Sequence, residues 1–255
     1  MMFMFSDRRV EIFIGAFGSG KTEIAINYAL ALAQSGQHVI FSDMDVVTPY
    51  FRSREARAEL EEQGIEVVAP PMGSDSPAVP AGVLRSLQDS GTKKVILDVG
   101  GDKLGAIALG QYRPVLDEGS YEFNFVINTK RPFTSTEEGI KYIISEIERV
   151  SRMKTTSFIN NTNLGIETTL EDIKEGEALI RKVSKSLDIP IRFTTMTDGL
   201  AEQVKPGDFD MPIFKMDLFM VPAWLAGGYD GVMRTGNKGG RYKAAEKRDY
   251  WMNYK

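Results

Sequence analysis

A chain of 255 residues with 42% hydrophobic content can bury a sizeable core, and the length fits one large α/β domain. A formal net charge of −4 argues against a generally basic nucleic-acid coat. Cysteine is absent and histidine occurs once, at His38, which excludes disulfides, thiolate metal sites and a histidine-built zinc centre. No apolar run reaches the ~18 residues of a membrane-spanning helix. The apolar start Met1–Phe5 is too short for a signal peptide, so a cytoplasmic address is expected.

In chain order, Val10 to Ile14 reads as a buried strand and Thr22 to Ala33 as a helix with Ile24, Ala25, Tyr28, Ala29 and Leu32 on one face. Between them lies Gly15-Ala16-Phe17-Gly18-Ser19-Gly20-Lys21-Thr22, a G-x-x-x-x-G-K-[ST] phosphate-binding loop. Its glycines let successive N–H groups turn inward toward phosphate oxygens. Lys21 brings an ammonium to the β- and γ-phosphates, Thr22 a hard oxygen ligand for Mg2+. The helix N-terminus beneath adds positive potential. Gly15, Phe17, Gly18, Ser19, Gly20, Lys21, Thr22 and Glu23 are therefore the expected nucleotide-binding residues.

His38 to Phe41 is the second strand, followed by Asp43-Met44-Asp45. Thr48 to Arg54 comes next, where Arg52 or Arg54 either contacts phosphate or a second substrate, or lies on the surface of a starting helix. Phe51 to Gln63 is helical and stops at Gly64; Ile65 to Ala69 is a strand; Pro70 to Pro77 is a rigid polar loop. A helix over Ala78 to Asp89 leads to the strand Lys93 to Asp98, which runs into Val99-Gly100-Gly101. An aspartate closing a buried apolar strand suits Mg2+, held directly or through water. The glycines after Asp98 let backbone approach a γ-phosphate and move when it leaves. Asp43 and Asp98, with Thr22, are the expected metal-binding residues; the acidic pair Asp43 and Asp45, this close to phosphate, calls for a cation.

Helices are expected over Leu104 to Leu116, Ser135 to Val150 and Leu170 to Leu187. Strands are expected over Tyr121 to Asn128, Thr156 to Asn160 and Ile191 to Phe193, with a last strand in the apolar stretch Met211 to Leu225. Thr134 or Ser135 is a candidate N-cap, in a segment from Arg131 to Thr136 that alternatively flanks the base. The amide-rich Asn160-Asn161-Thr162-Asn163 suits a nucleobase edge or an Asx turn. This alternation implies an α/β, doubly wound, mainly parallel sheet with helices on both faces, binding ligand at the carboxyl ends of its strands. One domain over residues 1–233 precedes a tail over 234–255. The tail interleaves basic residues from Arg234 to Lys255 with Tyr242, Tyr250, Trp251 and Tyr254. Such a pattern is either a solvated end or a surface for nucleic acid or anionic membrane.

The phosphate loop, the Asp43-x-Asp45 pair and Asp98-x-x-Gly101 together resemble the MinD/ParA/nitrogenase-iron-protein branch of P-loop NTPases over roughly Val10 to Phe193. That resemblance implies that Asp45 polarises the attacking water, that Asp98 and Gly101 form a switch, and that Asn160 or Asn161 reads adenine. MinD-type loops carry a second lysine where this chain has Ala16, so the likeness does not extend to a lysine acting across a dimer. The Asn-Lys-x-Asp pattern of guanine selection is not supplied by Asn128-Thr129-Lys130-Arg131, which favours ATP/ADP. The implied function is Mg2+-dependent ATP hydrolysis, with Lys21 and Asp45 catalytic, switching an unknown protein partner. The alternatives are an ATP-dependent enzyme activating a small carboxylate substrate, in the manner of dethiobiotin synthetase or cobyrinate amidase, and a nucleotide-binding module with negligible turnover.

Overall fold

The computed structural model describes residues 5–44, 53–68, 81–89, 91–101, 103–219 and 251–252. Its strands are β1 (Val10–Gly15), β2 (Val39–Met44), β3 (Glu66–Val68), β4 (Lys94–Val99), β5 (Tyr121–Ile127), β6 (Ser157–Asn160), β7 (Ile191–Thr197), β8 (Ile213–Met216) and β9 (Trp251–Met252). The helices are α1 (Lys21–Gln34), α2 (Ser53–Glu62), α3 (Ala81–Gln88), α4 (Lys103–Gly110), α5 (Glu137–Ser151), α6 (Leu170–Leu187) and the short α7 (Asp198–Ala201). One sheet takes all nine strands in the order β3-β2-β4-β1-β5-β6-β7-β8-β9. Every neighbouring pair is parallel except β8–β9. This is the doubly wound α/β architecture that the alternating pattern predicts. No helix among the described residues is long and apolar enough to cross a membrane.

The central strands β1 and β2 are buried along their whole length, as their largely apolar sequences anticipate. Period-two alternation divides their side chains between two cores. Phe13, Phe41, Ile96, Val126, Ile159 and Phe193 meet α1 on one face. Ile12, Ile14, Ile40, Val95, Leu97, Phe123 and Phe125 meet α3, α4, α5 and α6 on the other. The chain leaves β1 through α1 on the first face and leaves β4 through α4 on the second. Since β1 and β4 are neighbours, the winding reverses between them, and a crevice opens at their carboxyl ends.

Three expectations are revised. α4 ends at Gly110 and does not run to Leu116. A Cβ on Gly110 would stand 3.0 Å from the Val150 carbonyl oxygen, so this helix end is pressed against α5, and Pro114 then sits in a 3-10 turn. The N-cap of α5 is Thr136, whose side chain accepts from the Gly139 amide at 3.1 Å; Thr134 instead donates to the Asn128 carbonyl at 2.6 Å. At the chain's end, Trp251 pairs antiparallel with Phe214 and is buried. Its ring lies 4.7 Å from that of Phe214 and 5.3 Å from that of Phe193, so an aromatic side chain, where the sequence suggested an exposed tail, closes the α1-side core. The rest of the basic tail, residues 234–250 and 253–255, lies outside the described residues.

The amino half of the sheet is tied by a polar network. Glu11 on β1 accepts from Arg192 on β7 at 2.8 and 3.1 Å, from Tyr28 at 2.7 Å and from Asn124 at 2.8 Å. Arg192 also donates to Asn124 Oδ1 at 2.8 Å and stacks over the Tyr28 ring at 5.2 Å. Burial, with the nearby Glu11 charge, raises the Tyr28 pKa well above the usual phenol range, so its hydroxyl stays a donor. Burial alone would oppose the Arg192 charge, but Glu11 more than restores it. The network lies about 13 Å along β1 from Gly15, at ~3.3 Å per residue, so it stabilises the sheet and does not touch the loop. Replacing Arg192 with Ala leaves Glu11, 1% exposed, without its cation. We expect a loss of about 3 kcal/mol in urea unfolding, with a smaller loss when Glu11 and Arg192 are both changed to Met.

Candidate functional site: the phosphate loop and its surroundings

Gly15 ends β1 and Lys21 opens α1, so the loop spans the crevice between β1 and β4. Gly18 and Gly20 hold φ of 74° and 83°, a left-handed backbone that side chains disfavour. The loop's carbonyls are fastened on its outer side. Ala16 accepts from the Ser19 amide at 3.0 Å, Gly18 from Arg131 Nε at 3.1 Å and Ser19 from Asn161 Nδ2 at 2.7 Å. In a trans peptide the carbonyl and the next N–H point opposite ways. Holding the Ser19 carbonyl against Asn161 therefore turns the Gly20 N–H toward the concave side.

Lys21 is 8% exposed and forms no ion pair with any other described residue. A buried ammonium without a counter-charge is costly, and an anion in the concavity removes that cost. Ser19 adds a second sign: its hydroxyl is buried and has no hydrogen-bond partner among the described residues. Both features fit a bound phosphate group. Thr22, at the first turn of α1, is partly exposed, whereas Phe17 at the loop tip is 81% exposed. Glu23 is turned the other way. Its carboxylate accepts from the Phe219 amide, and Asn27 one turn on holds Asp217 through both backbone groups, at 2.8 and 2.9 Å. These residues bind the segment after β8 to α1.

Asp43 and Asp98 are register partners at the ends of β2 and β4, and β4 lies directly beside β1. Both share the sheet face of Phe41 and Ile96, under the start of α1, and both are buried. Adjacent strands are about 4.8 Å apart, which sets the two carboxyl groups side by side. The turn after Asp98 then closes over the loop. A Cβ placed on Gly101 would meet the Gly15 carbonyl oxygen at 3.0 Å, the Phe17 amide at 3.1 Å and Lys21 Nζ at 3.1 Å. Asp98-x-x-Gly101 and the phosphate loop, 80 residues apart in sequence, thus meet with Gly101 directly against the lysine. Asp45, Arg52 and the loop Pro70–Pro77 lie outside the described residues, as does the side chain of Arg54.

The loops after β5 and β6 form one unit beside the phosphate loop. Asn128 Oδ1 accepts the Lys130 and Asn163 amides at 3.0 and 3.1 Å, and its Nδ2 donates to the Asn163 carbonyl at 3.0 Å. Asn160 donates to the Ile173 carbonyl at 3.2 Å and accepts from the Thr162 amide and hydroxyl at 3.1 and 2.7 Å. Asn161 sits between Ser19 and Thr195, whose hydroxyl donates to its Oδ1 at 2.6 Å. Both asparagines expected at a base edge are thus fully buried and brace the backbone, Asn161 directly on the phosphate loop. Arg131 entered the sequence reading only within a segment that caps a helix or flanks the base, and nothing in that pattern points back to Gly18.

Lys130 anchors this unit to α6. Its ammonium lies 2.8 Å from Asp172 and 2.9 Å from Glu175, and Asp172 also accepts from Thr169 in the capping box of α6. The Lys130 hydrogen bond, then those from Thr169, lowers the Asp172 pKa to about 2. A depressed carboxylate stabilises the fold above its unfolded value near ~3.9 and loses that stabilisation as pH falls through the folded value. By NMR the Asp172 carboxylate should titrate near 2 in the wild type and move toward ~3.9 in Lys130→Ala. The stability advantage of wild type over Asp172→Asn should shrink over that same pH window.

No protein-family model and no curated protein matches the chain. Solved structures do. Chloroplast FtsY from Physcomitrella patens aligns with a TM-score of 0.53 and 19% identity, over 78% of this chain and 62% of that one. The cell division protein FtsY from Thermotoga maritima aligns at 0.50 and 19% identity, over 76% and 63%. The chain therefore spans less than two thirds of the length of either neighbour. Both neighbours are FtsY proteins, and neither carries the MinD/ParA name that the motifs suggest. At 19% identity the likeness is one of fold alone, the doubly wound α/β sheet described above.

Proposed function

We propose that the chain is a Mg2+-dependent ATP-binding protein and ATPase of the MinD/ParA-like class, a nucleotide switch acting on a protein partner. The observation that carries this reading is Lys21, a buried ammonium with no ion-pair partner among the described residues, enclosed by the phosphate loop and the Gly101 turn. The loop amides and Lys21 would receive the β- and γ-phosphates and stabilise charge on the transferring group. Thr22, Asp43 and Asp98 would hold Mg2+, which supplies charge neutralisation between those phosphates when bound. Asp45 orients the attacking water. Gly101 lies where a change at the γ-phosphate is felt first, and the chain beyond it leads straight into α4, whose Leu104 and Ile107 are exposed. That sequence of contacts is how a nucleotide would reach a partner.

ATP is favoured over GTP because no aspartate follows Lys130 at the position guanine selection needs; Arg131 and Pro132 stand there. Asn160 and Asn161 would shape the base side of the site through the backbone they hold, with Asn161 acting on the nucleotide by way of Ser19.

Binding and hydrolysis of ATP and GTP, with and without Mg2+ and with added small carboxylic acids, test the proposal. We expect Mg2+-dependent ATP turnover that carboxylates leave unchanged; phosphorylation of a carboxylate would move the function to the carboxylate-activating alternative. Lys21→Ala should abolish tight nucleotide binding without lowering the melting temperature, and affinity unchanged within about twofold would remove the phosphate site. Asp45→Ala should keep ATP binding and lose on the order of 10²-fold in turnover, the scale of a positioned acid–base group. Equal turnover would transfer that role to Asp43.

A further inference from the structure

We infer that Arg131 is a positioning residue for the phosphate loop, one that sets nucleotide affinity by fixing the peptide preceding the inward-facing amide. The inference rests on the nucleotide-binding reading above. Arg131 Nε donates to the Gly18 carbonyl at 3.1 Å, while the N–H of the same Gly18–Ser19 peptide donates to Ala16 at 3.0 Å. That peptide plane is pinned at both ends. The next plane is pinned by Asn161 on the Ser19 carbonyl, so two successive carbonyls are drawn outward by two different loops. A carbonyl swung inward would face phosphate with its negative end and repel it. A charge-assisted bond from a guanidinium opposes that swing more strongly than a neutral amide does.

The arginine is itself held. Its amide donates to the Asn128 carbonyl at 3.2 Å, and its own carbonyl accepts from the Thr134 amide at 3.0 Å. Lys130 before it is anchored on α6, and Pro132 after it fixes φ. On the loop side the fit depends on Gly18. A Cβ there would lie 3.2 Å from Arg131 Nε and 3.5 Å from its guanidinium carbon. The guanidinium therefore lies against bare backbone. Its two terminal nitrogens have no hydrogen-bond or ion-pair partner among the described residues, so its positive charge remains uncompensated at the loop's edge.

The test is made on the full chain with Arg131→Gln and Arg131→Lys, using calorimetric titration of Mg·ATP and Mg·ADP, steady-state hydrolysis and the melting temperature without nucleotide. Arg131→Gln should weaken ATP and ADP together by about tenfold, the scale of one charge-assisted bond, and leave turnover at saturation within about twofold of wild type. Arg131→Lys, which can still donate to Gly18, should recover much of the affinity. The melting temperature should stay within about a degree in both variants, because the side chain is exposed. Wild-type affinity in Arg131→Gln would overturn the inference, as would a loss confined to turnover, which would make Arg131 a transition-state contact. Affinity lost only in step with a fallen melting temperature would reduce it to a structural role. A wild-type protein that binds neither nucleotide would remove the nucleotide reading and this inference together.

Discussion

Lys21 is the constraint around which the rest of the molecule is arranged. A cation that is 8% exposed, with no ion-pair partner among the described residues, is unfavourable unless something negative joins it. The loop around it is built to admit that charge. Its carbonyls are pulled outward by Arg131 and Asn161, and its left-handed glycines allow the curl. The sheet beneath is held by a different polar network, at the opposite end of β1, in which the charges of Glu11 and Arg192 satisfy each other. One ionic group is fully paired and serves the fold. The other has no ion-pair partner among the described residues and is the group on which the proposed nucleotide site rests.

Topology turns this local arrangement into a site. β4 lies beside β1, so the aspartate ending β4 stands next to the phosphate loop, and its register partner on β2 brings a second carboxylate onto the same face. The helices that follow β1 and β4 depart on opposite faces, which opens the crevice and lets the Gly101 turn fold over Lys21. The loops after β5 and β6 complete the wall from the other side. The phosphate loop is thus held between the Gly101 turn, packed against Lys21, and the braced pair of loops after β5 and β6.

The parts of this arrangement that local chemistry dictates were legible in the sequence. Short, largely apolar stretches between helical periodicities marked the parallel strands, and the glycine, lysine and threonine spacing marked the loop between β1 and α1. Asp98 stands one residue before the end of its strand, beside the end the sequence suggested. What was not legible depends on contacts between distant residues. Arg131 reads as part of a helix start because its partner, Gly18, is 113 residues away. Asn161 was singled out for its amide, and that amide spans the Ser19 carbonyl and the Thr195 hydroxyl, contacts between distant residues that no local pattern encodes. Trp251 sits in a run of charges whose composition suggests solvent, while its ring fills the aromatic core behind α1. Likewise the shortening of α4 follows from the approach of α5 to Gly110, which no local pattern encodes.

The most direct measurement is the amide spectrum of isotope-labelled protein titrated with Mg·ATP. If the loop amides receive phosphate as the outward-held carbonyls imply, the Gly20 and Lys21 amide resonances should move strongly downfield at saturation, while those of Glu11 and Ile12, in the paired half of β1, stay in place. Saturable ATP binding that leaves Gly18 to Thr22 unperturbed would contradict the account, because the nucleotide would then lie somewhere other than over Lys21.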